Sequence, residues 1–202
     1  MLSTYTIFLT NILTPARLQH SQGVMQVMGE LAEIYGLDRE VAMTAGLLHD
    51  AAKDLSPEEQ QRWVREGNIP VQYPCERDYS LYLHGPVGAY FVQKELGITD
   101  RLVLDAIATH TWCEAERDNF HHPLSWCLRF SDILEPYRRW DGKAHIVGEG
   151  APRLRELAFA GNLKEAALFH ADMIIRFFDE NGYPVHPNYY RVLMTSKVFG
   201  NL

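Results

Sequence analysis

The stretch Gly-Leu-Leu-His-Asp-Ala-Ala-Lys-Asp at residues 46–54 places a polar pair, His49 and Asp50, among small and apolar side chains. Apolar residues precede the pair at helical spacing, and Asp38 is a predicted N-cap for that segment. Polar groups in such surroundings are expected to be buried, and buried polar groups need partners, of which a metal ion is one. Neighbouring residues on a helix point about 100° apart. One ion would therefore not easily bind both side chains, whereas two adjacent ions could, with Asp50 bridging them.

The rest of the chain shows the same helical spacing, and strand signals are weak. We predict helices over residues 25–35, from Ser56 and Pro57 onward, over 86–96 up to Gly97, from Asp100 through His110, over 123–140 with an interruption near Pro136, over 163–180, and after Pro187. Residues 67–80 and 141–150, rich in proline or glycine, are predicted loops. The predicted fold class is all-α, a single compact helical domain over residues 1–202. Its motif core covers about 15–140, and C-terminal helices over 152–200 pack on this core.

Composition narrows the class of protein. Hydrophobic residues make up 47% and charged residues 22% of the 202 residues, which is typical of a soluble globular protein. The formal net charge of −7 argues against a partner that is nucleic acid or an anionic membrane. An anionic small substrate stays open, because a bound metal reverses the charge locally. Cys75, Cys113 and Cys127 form no CxxC pair, so we expect reduced thiols and a cytoplasmic location.

Segments that would direct the chain to a membrane or out of the cell are not expected. The first residues are mildly apolar but have no basic residue before Arg17, which makes a poor signal peptide. No run of about 20 apolar residues occurs.

A site built around His49 and Asp50 needs further ligands, and His20, His84, His110 and Asp132 are the candidates because each lies on or beside a predicted helix. Histidine with carboxylate favours iron, manganese or another first-row metal over a thiolate-selected zinc. Each residue also has a simpler interpretation. Asp50 and Lys53 could form an ion pair on a solvated face, and a single histidine or Asp132 could be structural. The remaining histidines are expected to be surface or structural residues: His121, His122, His145, His170 and His186.

The ordered set of six ligand candidates resembles the HD superfamily of metal-dependent phosphohydrolases. Two histidines between the His-Asp pair and the late aspartate are typical of its two-metal members. The surrounding residues are similar to the YqeK family of bacterial symmetrical bis(5′-nucleosyl)-tetraphosphatases. The matching segments are Arg17–Val24, Leu48–Leu55, Leu83–Ala89, Ile107–Thr111 and Ser131–Arg138.

This resemblance implies a helical domain with a di-iron centre, or one containing manganese, cobalt or nickel, that hydrolyses diadenosine tetraphosphate into two molecules of ADP. Water activated by the two metals would attack an inner phosphorus. One metal would be held by His20, His49, Asp50 and Asp132, and the other by Asp50, His84 and His110. Asp50 and Lys53 would be the catalytic residues.

The resemblance also assigns roles around the metals. Lys53, Arg17 and Arg138 would contact the phosphates, and Glu135 would steady a ligand or Arg138. Asp54 would have a similar supporting role.

The chain departs from the family pattern after His110-Thr111, where Trp112 replaces a small polar residue. Trp112 could bind substrate by stacking on a base, or it could pack in the core. Two other functions stay open: an HD-type nucleotidase or phosphodiesterase that acts on another nucleotide, and a non-catalytic nucleotide sensor. The 163–180 surface could form a homodimer interface.

Overall fold

The computed structural model describes residues 1–79, 81–140 and 142–194. Over these residues the secondary structure is helical, with one 3-10 turn at Gly142–Ala144 and no strand, so the all-α prediction is confirmed. The helices are α1 (Leu2–Thr10), α2 (Pro15–Ile34), α3 (Arg39–Leu48), α4 (Pro57–Glu66), α5 (Pro74–Asp78), α6 (His84–Leu96), α7 (Arg101–Thr109), α8 (Pro123–Leu134), α9 (His145–Phe159), α10 (Leu163–Asn181) and α11 (Pro187–Met194). None of these helices is both long and apolar enough to cross a bilayer.

Local capping residues begin and end several helices where the sequence predicts. The Asp38 side chain accepts a hydrogen bond from the Val41 backbone N–H. Ser56 forms a capping box with Glu59, and Pro57 is the first residue of α4. Gly97 ends α6 in the left-handed region at φ 67°, which glycine adopts without steric cost. These caps satisfy backbone groups that a helix end leaves unpaired.

Helix α3 is central, because it contacts α1, α2, α7 and α8. Its residues Ala42, Ala45, Leu47 and Leu48 are fully buried. Helices α9 and α10 both contact α8, and α11 contacts α10. The helices that carry the ligand candidates therefore converge on one core, and the C-terminal helices cover one side of it. The boundaries of the single predicted domain stay a prediction, and residues 195–200 of its C-terminal part lie outside the described residues.

Several predicted boundaries were wrong. Helix α8 stops at Leu134 instead of continuing to Trp140, because Glu135 precedes Pro136 and is extended, at ψ 143°. The 67–80 loop contains α5, which begins at Pro74. The N-terminal helix α1 was not predicted.

The predicted loop over 141–150 mostly belongs to α9, which starts at His145. Its glycines permit close packing: a Cβ added to Gly148 would lie 2.7 Å from the Trp140 Cβ. Tertiary contact thus overrides the low helix propensity of the segment.

Candidate metal centre

The six ligand candidates lie together in the structure, although they come from five separate parts of the chain. His20 lies in α2, His49 and Asp50 follow the last residue of α3, His84 is the first residue of α6, His110 follows α7, and Asp132 lies in α8. The His49-Asp50 pair is therefore in the turn after a helix and not within one. This position lets both adjacent side chains face the same centre.

Asp50 is the residue that the others surround. Its Oδ1 lies 3.2 Å from His84 Nε2, 3.7 Å from His110 Nε2 and 3.5 Å from His49 Nε2. Its Oδ2 lies 3.7 Å from His20 Nε2. The ligand atoms form two clusters of metal-binding size that share Asp50, one with His20 and His49 and the other with His84 and His110.

Asp132 lies on the side of the first cluster. Its Oδ1 is 3.0 Å from His20 Nε2 and 3.8 Å from His49 Nε2. The structure thus brings together the same two sets of residues that the family resemblance implies. Their role as ligands stays a prediction.

The four histidines all direct Nδ1 toward an acceptor outside the centre. His49 Nδ1 lies 2.8 Å from the Gly46 carbonyl, and His110 Nδ1 lies 2.7 Å from the Ile107 carbonyl. His84 Nδ1 contacts the Leu81 carbonyl in the same way. A carbonyl oxygen only accepts, so the ring proton of each neutral histidine is assigned to Nδ1. Nε2 then carries a lone pair that faces the centre, which is the tautomer that a metal requires.

A positive charge at the centre would stabilise these lone pairs. His84 Nε2 and His110 Nε2 are 3.0 Å apart, and with both protons on Nδ1 neither atom has a proton to donate to the other. His49 Nε2 is buried and has no hydrogen-bond partner among the described residues. Burial lowers the pKa of His49 to about 4 and that of His84 to about 3, so both rings are neutral at pH 7. The donor set fits two metal ions, because neutral imidazoles and ionised carboxylates are the forms that bind metal.

The carboxylates are ionised. Burial of Asp50 opposes ionisation, but the surrounding His49 and Lys53 outweigh it and hold its pKa well below the usual range. Asp132 behaves similarly, and Arg138 is the main group that lowers its pKa against the effect of burial. His20 differs from His49: burial lowers its pKa, but the hydrogen bond and charge of Asp132 outweigh burial, and the net pKa is raised.

Three basic side chains border the centre. Arg17 Nη1 lies 2.9 Å from Asp50 Oδ2, and Arg138 Nη1 lies 3.2 Å from Asp132 Oδ1. Lys53 Nζ lies 3.0 Å from His84 Nε2, and burial lowers its pKa. These cations are close enough to meet an anion that approaches the centre.

Glu135 and Asp54 lie outside the centre, where Glu135 contacts His20 and Asp54 lies near Arg17. Glu135 is buried, and its Oε1 lies 3.1 Å from His20 Nδ1 while its Oε2 accepts from the Tyr137 backbone N–H. Asp54 accepts hydrogen bonds from the backbone N–H and the hydroxyl of Thr14, and its Oδ1 is 3.8 Å from Arg17 Nε. Glu135 thus orients a ligand candidate, whereas Asp54 is placed to orient Arg17.

Trp112 does not offer a free face to a base. Its side chain is 1% exposed, with Tyr189 stacked on the ring at 3.9 Å and the Arg129 guanidinium 5.1 Å from its centroid. The structure therefore favours the packing interpretation over stacking on substrate. Trp112 has φ 70°, which is unusual for a bulky residue. Its carbonyl accepts a hydrogen bond from the Asn188 side chain.

A third cluster combines Glu76, Cys113 and His186. Its polar atoms already have protein partners. His186 Nε2 lies 2.9 Å from Glu76 Oε1, His186 Nδ1 accepts from the Asn188 backbone N–H, and Cys113 Sγ donates to the Tyr82 carbonyl. These contacts join α5 to the segment before α11, so we assign this cluster a structural role.

A cavity of about 430 Å³ adjoins the metal centre, and Lys53, His84, His110, Asp132 and Arg138 line part of it. Helices α9 and α10 contribute another part, with residues including Val147, His170 and Phe177. The sequence did not predict this contribution, because aromatic residues at helical spacing look the same whether they face a core or a cavity.

Comparison with known proteins gives the family. The HD domain matches residues 17–124, which is more than half of the chain. A Bacillus subtilis protein named symmetrical bis(5′-nucleosyl)-tetraphosphatase is 32% identical over 87% of this chain and 87% of its own length. A protein of the same name from Halalkalibacterium halodurans is 37% identical over 64% of this chain, and the match spans 66% of that protein, just under two thirds.

The fold agrees with that match. The crystal structure of a Clostridium acetobutylicum protein is similar to this chain with a TM-score of 0.81 and 32% identity, and the match covers 96% of this chain and 95% of that one. That protein is described as a predicted HD superfamily hydrolase involved in NAD metabolism. On the family match, the relatives and the fold together, the chain belongs to the HD domain family.

Proposed function

We propose that this protein is a metal-dependent hydrolase that cleaves diadenosine tetraphosphate symmetrically into two molecules of ADP. The observation that carries the proposal is the pair of His clusters that share Asp50, in which the Nδ1 atoms of His49 and His110 face backbone carbonyls and their Nε2 atoms face a common centre. Relatives of this chain are named for the same symmetrical cleavage.

The ligand candidates would hold two metal ions in the sets described above. A metal pair supplies an activated water at neutral pH and neutralises phosphate charge. Asp50 would belong to both sets, because its Oδ2 faces His20 and its Oδ1 faces His84. Iron is the proposed metal, with manganese, cobalt or nickel as alternatives, because the ligand candidates are histidine and carboxylate without a thiolate.

The basic residues would bind the phosphates. Lys53 lines the cavity beside the centre, while Arg17 and Arg138 contact carboxylate oxygens of Asp50 and Asp132 that also face the histidines. In this position they can stabilise the charge that spreads over phosphoryl oxygens during transfer. The leaving group is ADP, a stable anion, so no strong general acid is required of the chain.

The direct test is purification under anaerobic conditions, metal analysis, incubation with diadenosine tetraphosphate and chromatography of the products. We expect about two metals per chain and ADP as the sole product. ATP with AMP would contradict symmetrical cleavage. An absence of product despite full metal content would contradict the proposed substrate and support a different nucleotide or a sensor.

A matched pair of variants isolates the centre. His84→Ala should lose metal and activity, because His84 Nε2 faces Asp50 at 3.2 Å. His145→Ala is the control, because His145 is exposed and contacts only Glu180 among the described ion pairs. Equal loss in both variants would show that the effect is not specific to the centre.

The location and assembly are also proposals. We propose a cytoplasmic protein on the basis of its three free cysteines, and a homodimer through the outer surface of α10. Light scattering on the purified protein measures the assembly directly.

A further inference from the structure

The cavity beside the metal centre has a second kind of lining that the chemistry above does not use. Besides the charged residues of the centre, eight Phe, Tyr and Trp residues line it, and four of these are partly exposed: Tyr79, Trp140, Phe177 and Tyr183. We call these four residues the aromatic wall.

The rings of the aromatic wall are partly exposed, unlike Trp112. Tyr183 holds much of the wall together, since it stacks on Tyr79 at 5.5 Å with an interplanar angle of 17° and contacts Phe177 at 6.0 Å. Partly exposed rings fixed by such contacts present a rigid apolar surface. Nucleobases stack on surfaces of this kind, and the stacking tolerates different bases because every base has a π-face.

Arg138 connects the aromatic wall to the charged centre. Arg138 Nη1 lies 3.2 Å from Asp132 Oδ1, and the same guanidinium lies 4.7 Å from the centroid of the Trp140 ring. A ligand with an aromatic group and a phosphate chain could therefore contact both linings at once. A phosphate-only ligand would use the charged lining alone.

Resting on the proposed function, we propose that the aromatic wall binds one nucleoside of the dinucleotide while its phosphates extend to the metal centre. The volume of about 430 Å³ lies near the lower end of the roughly 300–1,000 Å³ range of small-ligand pockets.

The origin of the wall residues gives the C-terminal helices a role. Trp140, Phe177 and Tyr183 lie beyond residue 124, where the match to the HD domain ends. Helix α10 contributes Phe177, and Tyr183 follows the end of that helix. The matched domain therefore supplies five of the six ligand candidates, whereas the region beyond it supplies Asp132 and most of the nucleoside site.

The test compares two probes by calorimetric titration of the metal-containing protein: ADP, which has a base, and inorganic pyrophosphate, which has none. We expect Phe177→Ala and Tyr183→Leu each to raise the Kd for ADP by roughly 5- to 150-fold, the range for loss of one stacking ring. The Kd for pyrophosphate and the metal content should stay unchanged. Phe177→Tyr keeps an aromatic ring at this position, so its Kd for ADP should be close to that of the wild type.

Matched controls are Phe159→Ala and Tyr190→Leu, which change the same residue types outside the cavity lining. Phe159 contacts Arg155, and Tyr190 is exposed on α11. Unchanged ADP affinity in both wall variants, or equal weakening of ADP and pyrophosphate, would overturn the inference. If the wild type binds ADP through the wall but does not cleave diadenosine tetraphosphate, the nucleoside site stands and the proposed function fails. If the wild type cleaves that substrate while the wall variants bind ADP with wild-type affinity, the proposed function stands and the nucleoside site fails.

Discussion

Gly23 offers a way to disturb the metal centre without touching a ligand candidate. It lies in α2 one turn after His20, and a Cβ built on it would be 2.5 Å from Glu135 Oε2. Ordinary contact begins near 3.4 Å, so the Gly23→Ala variant requires a shift of about 0.9 Å (3.4 − 2.5). Glu135 Oε1 lies 3.1 Å from His20 Nδ1. A displacement of that size away from the ring would take this pair beyond the roughly 3.2 Å limit of a good N–H···O bond.

The expected loss follows from the role of Glu135. Groups that orient a metal-binding histidine typically contribute 10- to 100-fold to metal affinity or activity when mutated. We therefore expect Gly23→Ala to weaken metal binding and to lower kcat/KM by about 10- to 100-fold. Dialysis against a chelator of graded strength, followed by metal analysis, measures the affinity, and circular dichroism checks the helix.

A glycine in the same helix provides the matched control. A Cβ at Gly29 would meet the flexible Met43 side chain at 3.3 Å, which can move aside. Gly29→Ala should keep wild-type metal affinity, because the added methyl group does not contact Glu135. Its helix propensity rises by up to about 1 kcal/mol. Combining Gly23→Ala with Glu135→Gln should add little to either single change, because both act on the same contact. Wild-type metal affinity in Gly23→Ala, or full additivity in the double variant, would refute the reasoning.

Three further predictions address separate groups. Asp50→Ala should lose both metals, because both His clusters share this carboxylate; retention of one metal in elemental analysis would contradict its central position. Lys53→Ala should keep the metals but lose turnover, since Lys53 is not a ligand candidate; full activity in the product assay would remove its proposed role. Burial, together with the Arg129 charge, lowers the pKa of His170 to about 3. The unfolded state then binds a proton that the folded state does not, so the free energy of unfolding falls as the pH drops from about 6.5 toward 3, by up to about 1.4 kcal/mol per pH unit for this residue. Denaturant unfolding at several pH values between 4 and 7 measures this effect. The free energy of unfolding of His170→Leu should change less steeply with pH than that of the wild type.

The buried Arg129 illustrates what sequence patterns do not predict. Its side chain is 2% exposed and donates to the carbonyls of Thr109 and Phe120, while the rings of Phe120 and Trp126 lie against its guanidinium. Arginine within an apolar helix is usually expected at a surface. Trp126 lies one turn before Arg129 in α8, but Phe120 precedes that helix and the Thr109 carbonyl belongs to α7, so the local sequence shows only part of these surroundings.

The all-helical class and the residue types of the candidate centre can be read from the amino-acid sequence. Capping residues and apolar spacing act within a few residues, and so they are visible along the chain. His49 and Asp50 stand out because polar groups among apolar ones need a partner. Three features are visible only once the helices pack together: Asp50 lies between the two His clusters, Trp112 is covered on its faces, and the C-terminal helices complete the cavity. These features depend on how helices far apart in sequence pack, and side-chain packing between such helices is fixed by shape and volume in three dimensions rather than by periodicity.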